Sequence, residues 1–396
     1  MKKLIFSLGL LATIFTGCTK DDETEAGVVT PTGEISGNIT SNVSFAANGI
    51  YTLKGIVRVK SGATLTIGEG SKISCDKANG DNALVVELGG KVNIVGSASA
   101  PIVFTEISNT PGSWGGITIY GDAPIKVLGG GTTGTSEDGL SLPYGGSNSA
   151  HDGGILSYVR VEYAGKKIAD GTKETNSFTF YSVGTGTQLN HLVAYKGADD
   201  GYEFFGGTAS MSNCISYGNY DDAFDWQDGW QGQNNSNWFG NQVDKGNFGM
   251  EIETSSNNNA FWPKVTNVTL NRQAGCVPEV VGAVEIDAFQ FKKQGNGEFI
   301  NVVVNGYGSY TEGSTTYQGA VVKIQDASTN TDQVNAGKII LNGYKSTNNG
   351  RELVGATAAI TVSFPSGKAV TNASATGAVL TPGAWTVVNS VNLLQM

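Results

Sequence analysis

Between about residue 34 and the C-terminus, apolar and polar residues alternate in short runs that break at Gly, Asn, Ser and Asp. "LKGIVRVKSGATLTIGEGSKI" at 53–73 is such a run, and "ALVVELGGKVNIVGSASAPIVF" at 83–104 repeats it, with Leu65-x-Ile67 falling on Val92-x-Ile94 after 27 residues. "WGGITIYG", "GILSYVRVEYAG", "NSFTFYSVGTGTQLNHLVAY" and "YEFFGGTASMSNCISYGN" continue at intervals of 22–24. Alternation of period two is the mark of a strand, and no long stretch has the 3.6-residue period of an amphipathic helix. Each unit holds two or three short strands with Gly or Asn at its corners. Unpaired sheet edges are a liability, and coiling the chain into a stack leaves only two end edges exposed. Repeats in this length range are read as stacked units. The pattern predicts an all-β chain, a right-handed parallel β-helix. One segment breaks the rhythm: residues 122–153 run without a clear strand and are expected to form a long inserted loop, either functional or covering one flank.

The sharpest repeat is "DDGYEFFGG" at 199–207 against "DDAFDWQDG" at 221–229, an offset of 22 residues. Strand residues alternate between faces. With Tyr202 and Phe204 inward, Glu203 points outward; in the next rung Phe224 and Trp226 point inward and Asp225 outward; in the rung before, Phe178 and Phe180 flank an outward Thr179. The opposite register would bury unpaired carboxylates, which is costly. An interior aromatic ladder and an exterior acidic column are therefore expected. Glu251 and Glu253, then Glu285 and Asp287, are candidates to prolong the column.

Composition sharpens the question of what the column does. The 396 residues include 56 Gly and 9 Pro and carry a net charge of −10. An acidic chain without a basic stripe argues against nucleic acid as a partner. From Gly197 through Gln242 there is no Lys or Arg, while Asp199, Asp200, Glu203, Asp221, Asp222, Asp225 and Asp228 all occur. Three readings offset that charge. Ca²⁺ could sit among Asp200, Asp222, Glu203 and Asp225, since it takes several oxygen ligands. Two carboxylates could act as the acid and base of a polysaccharide-cleaving enzyme, with Lys323 or Arg272 brought near by folding. Or the Asp-Asp pairs are stacked corners, because Asp side chains bond nearby backbone N–H groups. Four of the six Trp lie in 226–262. Trp230 and Trp238 stand in "DGWQGQNNSNWFGN", a polar stretch, where exposed indoles beside Asp228 would suit sugar rings.

The N-terminus reads as export machinery: a basic "MKK", an apolar "LIFSLGLLATIF" too short to span a bilayer with these flanks, then "TGC" ending at Cys18. Residues 1–17 resemble a bacterial lipoprotein signal, which implies a lipidated Cys18. Residues 18–33 read as an acidic tether, and 34–396 as the β-helix domain. "TKDDETE" after Cys18 resembles the surface-export signal of Bacteroidetes lipoproteins, which implies an outer-membrane, cell-surface location, with an outer-membrane importer as a conceivable neighbour. Cys75, Cys214 and Cys276 remain: one bridge or buried free thiols. With two histidines and no CxxC, a zinc site is not expected.

The strands "GxVxVxxGATLTIxxG" and "PIVFT" resemble the right-handed parallel β-helix, or pectate-lyase-like, superfamily. From "EDGLSLPYGG" through "RVEYAG", "VGTGT" and "DDAFDWQDG" the chain resembles β-helix lipoproteins of Bacteroidetes and some marine bacteria. The resemblance implies fold and location but no particular activity. The Gly-His-Gly and Arg-Ile-Lys motifs of pectin-degrading β-helix hydrolases do not occur here. The expected task is binding of a carbohydrate or another extracellular ligand on an acidic, aromatic-lined face. The rivals are a polysaccharide-active enzyme and a structural or adhesive surface protein.

Overall fold

The alternating runs close into a ladder in the register the sequence predicts. Leu65 and Ile67 lie beside Val92 and Ile94 in parallel. The same pairing repeats rung after rung, so that among the described residues 26 strands form one sheet whose strands pair in parallel. The computed structural model describes residues 30–169, 173, 175–234, 236–255 and 262–396. The residues read as a signal sequence, Cys18 and most of the stretch read as a tether lie outside the described residues. Pro31–Met396 form a single unit, and its first strand is Thr32–Ile39, which takes in the end of the stretch read as tether. The only helical structure of more than three residues among the described ones is one short stretch, Ala327–Thr329 running directly into Asn330–Val334.

Seven strands matter for the site and are labelled in chain order: β1 (Ile117–Tyr120), β2 (Phe178–Tyr181), β3 (Tyr202–Phe205), β4 (Phe224–Gln227), β5 (Met250–Ile252), β6 (Phe289–Phe291) and β7 (Ala320–Ile324). They stack in that order, each parallel to the next. Their inward residues form the aromatic ladder. Phe178 stacks on Tyr202 at 5.2 Å, Tyr202 on Phe224 at 5.4 Å, and Phe180 on Phe204 at 4.9 Å. Phe204 does not pass directly to Trp226. Trp230 inserts between them, 4.7 Å from Phe204 and 5.1 Å from Trp226.

The outward positions split into two columns. One is polar: Thr118, Thr179, Glu203, Asp225, Glu251, Gln290 and Lys323 are in register. Glu285 and Asp287 do not belong to it; Gln290 takes that place, because the strand starts at Phe289. The other is aromatic: Tyr120, Tyr181 and Phe205 stack at 4.8 and 4.2 Å. Three outward rings cannot be left in water, and the segment at 122–153 covers them. It is not strandless: Gly134–Thr135 and Pro143–Tyr144 pair as a small antiparallel hairpin. Tyr144 packs on Tyr181 and Phe205. On another flank the C-terminal segment lays Leu380, Trp385, Val388 and Leu393 over Tyr195, Tyr217 and Phe239. Cys75, Cys214 and Cys276 are buried free thiols, so Cys214 and Cys276 do not pair.

Candidate functional site

The polar column opens into a cleft of about 420 Å³ with an almost wholly polar wall. Its floor is Glu203, Asp225 and Glu251 on β3, β4 and β5. Asp199, Asp200 and Asp221 come from the corners that precede β3 and β4, and Glu137 comes from the hairpin segment. Nine carboxylates and two lysines, Lys173 and Lys292, line the cleft. Glu203 and Asp225 face each other across adjacent strands as the repeat predicts. They point away from the aromatic ladder, yet they are only 6 % and 7 % exposed, because corners and hairpin rise around them.

Glu203 is clamped by amides: Asn176 Nδ2 donates to Oε2 at 2.6 Å and Gln227 Nε2 to Oε1 at 2.9 Å. These bonds favour the carboxylate, but burial outweighs them and pushes its pKa up to about 8. Asp225 lacks such support. Its Oδ1 is buried without a hydrogen-bond partner, and burial, with Glu251 and Glu203 beside it, holds its pKa well above the usual carboxylate range. Asp200, Glu203 and Asp225 each offer an oxygen within 4.8 Å of the others'. No lysine or arginine pairs with any of the three among the described residues. The next set, Asp222, Asp225 and Glu251, is similar in geometry. There Lys292 supplies the cation, its Nζ on Glu251 and 3.5 Å from Glu253.

Asp200 and Asp222 also serve as corners. Asp200 Oδ1 accepts the N–H of Asp222 at 2.8 Å, and Asp222 Oδ1 accepts the N–H of Phe248 at 2.7 Å. The corner reading and the ligand reading therefore both fit Asp200. Of the four residues expected to hold a metal, Asp200, Glu203 and Asp225 converge in the cleft, while Asp222 is not part of its lining and converges instead with Asp225 and Glu251.

Three expected binding residues are elsewhere. Trp230 and Trp238 are buried, 2 % and 1 % exposed. Their indole N–H groups donate to the carbonyls of Ala209 and Met211, and the rings stack on the aromatic ladder. The polar Gly/Asn stretch looks like a surface loop, but its tryptophans turn inward to fill the interior, so the cleft has no aromatic wall. Asp228 lies under the hairpin, where it accepts the Tyr144 hydroxyl at 2.6 Å. The 22-residue offset maps it onto Gly206, and both have positive φ, 52° and 64°. Asp tolerates that corner conformation. Lys323 and Arg272 do not reach the cleft. Lys323 binds Asp287 and the carbonyl of Val284, and Arg272 binds backbone carbonyls of Gly246, Asn247 and Cys276. Lys292, Asn176, Gln227 and Glu137 also line the cleft and lie outside the repeated acidic motif. Gln227 alone could have been found, two residues after Asp225 on the same strand face.

No curated protein and no solved structure matches the chain. Over residues 37–387 it matches the pectate-lyase-like β-helix domain, and with the parallel ladder described above the chain belongs to that family.

Proposed function

We propose that the chain is an extracellular binding protein that takes a hydrophilic ligand, of the carbohydrate class, into the acidic cleft, and that a cation enters with it. The observation that supports this is the convergence of Asp200, Glu203 and Asp225, buried, with Asp225 Oδ1 unpartnered. A buried carboxylate without a partner is costly, and a cation offsets that cost. The volume of about 420 Å³ lies in the range of small-ligand sites and far exceeds a lone ion. Carboxylates and amides in the wall accept and donate hydrogen bonds to hydroxyls; without the indoles, recognition is polar rather than by stacking. Ca²⁺ is the inorganic candidate for the cation.

A calorimetric titration of the full chain with CaCl₂, and with neutral and charged oligosaccharides in its presence and absence, tests the reading. Wild type should respond to at least one of these, and Asp225→Asn should weaken the response. Silence toward all of them would leave the acidic column a corner feature of a structural or adhesive protein. Location belongs to the same reading: lipidated at Cys18, the chain would face the medium from the outer membrane, beside an importer. Protease added to intact cells should then remove it, and full protection would overturn the surface assignment.

One observation favours a second reading, a polysaccharide-active enzyme. With its pKa pushed up to about 8, Glu203 is largely protonated at neutral pH and has the form of a general acid, with Asp225 one rung away. A screen for new reducing ends separates the two; binding alone releases none.

A further inference from the structure

Lys292 shows how this cleft treats an ammonium group. It follows Phe291 at the end of β6, and its Nζ is held by Glu251 and Glu253. One rung back the wall repeats, since Asp225 is in register with Glu251 and Glu203 with Asp225. There Asp200, Glu203 and Asp225 each offer an oxygen close to the others', no lysine or arginine of the described residues forms an ion pair with them, Lys292 acting on Asp225 only from its own seat, and Asp225 Oδ1 is buried with no hydrogen-bond partner. The seats adjoin: Glu251 and Glu253 hold Lys292, while the three buried carboxylates of the other have no such partner.

The number of acceptors distinguishes the kinds of cation that could fill the other. A calcium ion asks for roughly six to eight oxygens at about 2.3–2.6 Å. Here both oxygens of Glu203 already accept amide N–H groups, and Asp200 Oδ1 accepts a backbone N–H. A primary ammonium asks for only three acceptors. With N–H···O bonds of about 2.8 Å in tetrahedral directions, those acceptors stand roughly 4.6 Å apart. Three carboxylate oxygens within 4.8 Å of one another meet that demand. The remaining cleft is polar on nearly all sides, which suits hydroxyl groups and not an aliphatic chain.

We propose that the ligand of this cleft is a saccharide bearing a free primary amine, its ammonium seated among Asp200, Glu203 and Asp225 one rung from the seat of Lys292. The proposal rests on the cleft being the binding site. The ammonium could equally be supplied by a polyamine, and the test separates the two sources.

The full chain is titrated calorimetrically at pH 7 with a deacetylated glucosamine oligomer, its N-acetylated counterpart, spermidine and CaCl₂. The amine oligomer should bind at least roughly tenfold more tightly than the acetylated one, the worth of one charge-assisted hydrogen bond. Spermidine should compete for the same seat but bind more weakly than the amine oligomer; binding as tight as the oligomer's would overturn the saccharide assignment. Asp225→Asn and Glu203→Gln should each reduce the preference for the amine over the acetylated oligomer. The comparison of the two oligomers on wild type stands even if a variant fails to fold. Equal binding of both oligomers would overturn the ammonium seat and leave the cleft a sugar site. A response to CaCl₂ alone would overturn it in favour of a metal. No response to any probe would overturn both this inference and the binding reading it rests on.

Discussion

Trp230 carries more of this molecule than its position in a Gly/Asn-rich stretch suggests. Its ring bridges Phe204 and Trp226, its N–H is spent on the carbonyl of Ala209, and it contacts Trp238 at 6.0 Å. An indole with both its faces and its one donor engaged is a core residue. Trp230→Ala should therefore lower stability by about 3–5 kcal/mol, read as a fall in the denaturation midpoint, while leaving the polar lining of the cleft unchanged. A midpoint equal to wild type would return Trp230 to the surface. The residue-level error has a simple physical origin. Sequence pattern reports periodicity, and "DGWQGQNNSNWFGN" has none, so nothing in it tells an indole that stacks on sugar from one that plugs the interior. Where periodicity existed, orientation was legible: Tyr202, Phe204, Phe224 and Trp226 inward, Glu203 and Asp225 outward. Asp228 differs for another reason: its positive φ is a local corner feature shared with Gly206 in the repeat, but the Tyr144 hydroxyl that its carboxylate accepts lies 84 residues away.

At the scale of the strand, each of β2, β3 and β4 presents two inward residues, which build the ladder, and outward ones that diverge in use. One outward column is acidic and forms the cleft; the other, in β1, β2 and β3, is aromatic and recruits the hairpin segment as its cover. The inward set and the acidic column could be read from the repeat of 22 residues. The cover could not, because it depends on a contact between Tyr144 and Tyr181 across a segment with no period of its own. Nor is the counter-cation legible: Lys292 is 67 residues beyond Asp225 in the chain, and only the stacking of β4, β5 and β6 brings it there. Its importance can be measured. Lys292→Met removes the positive charge between Glu251 and Glu253, both largely buried. Breaking one partner of a buried ion pair costs about 3–5 kcal/mol, so at pH 7 the variant should be clearly less stable than wild type. Part of that loss should return at pH 5, where Glu251, its pKa already raised by burial, takes up a proton more readily without Lys292 beside it. Equal loss at both pH values would mean that the stem of Lys292, and not its charge, does the packing.

Taken over the whole molecule, the stacked carboxylates make folding stability depend on pH in an unusual sense. In an unfolded chain Asp and Glu titrate near pH 4. In the folded chain burial pushes Asp221 up to about 7, Asp228 and Asp287 up to about 6, and Glu203 up to about 8. Burial and mutual repulsion hold Asp200, Asp222 and Asp225 well above their ordinary value. Between about pH 4 and 8 the native state thus binds more protons than the unfolded state, and stability must fall as pH rises. Below about pH 4 that contribution is complete. There the opposite group takes over: Asp81, Asp152 and Asp326, held below the usual range by their partners, lose their share as they protonate. Lys292 stays charged throughout, since the surrounding carboxylates raise its pKa. The melting temperature, measured in chelator at low ionic strength, should peak near pH 4 and decline steadily toward pH 8. A cation seated among Asp200, Glu203 and Asp225 stabilises their ionised forms, so a saturating amine ligand or divalent metal should flatten the decline most at pH 8 and least at pH 5. The same binding should release protons, seen as a dependence of the calorimetric heat on the buffer's ionisation enthalpy. A melting temperature that is level or rising from pH 5 to 8 would show these carboxylates to be ionised without help. The cleft would then need no cation to complete it.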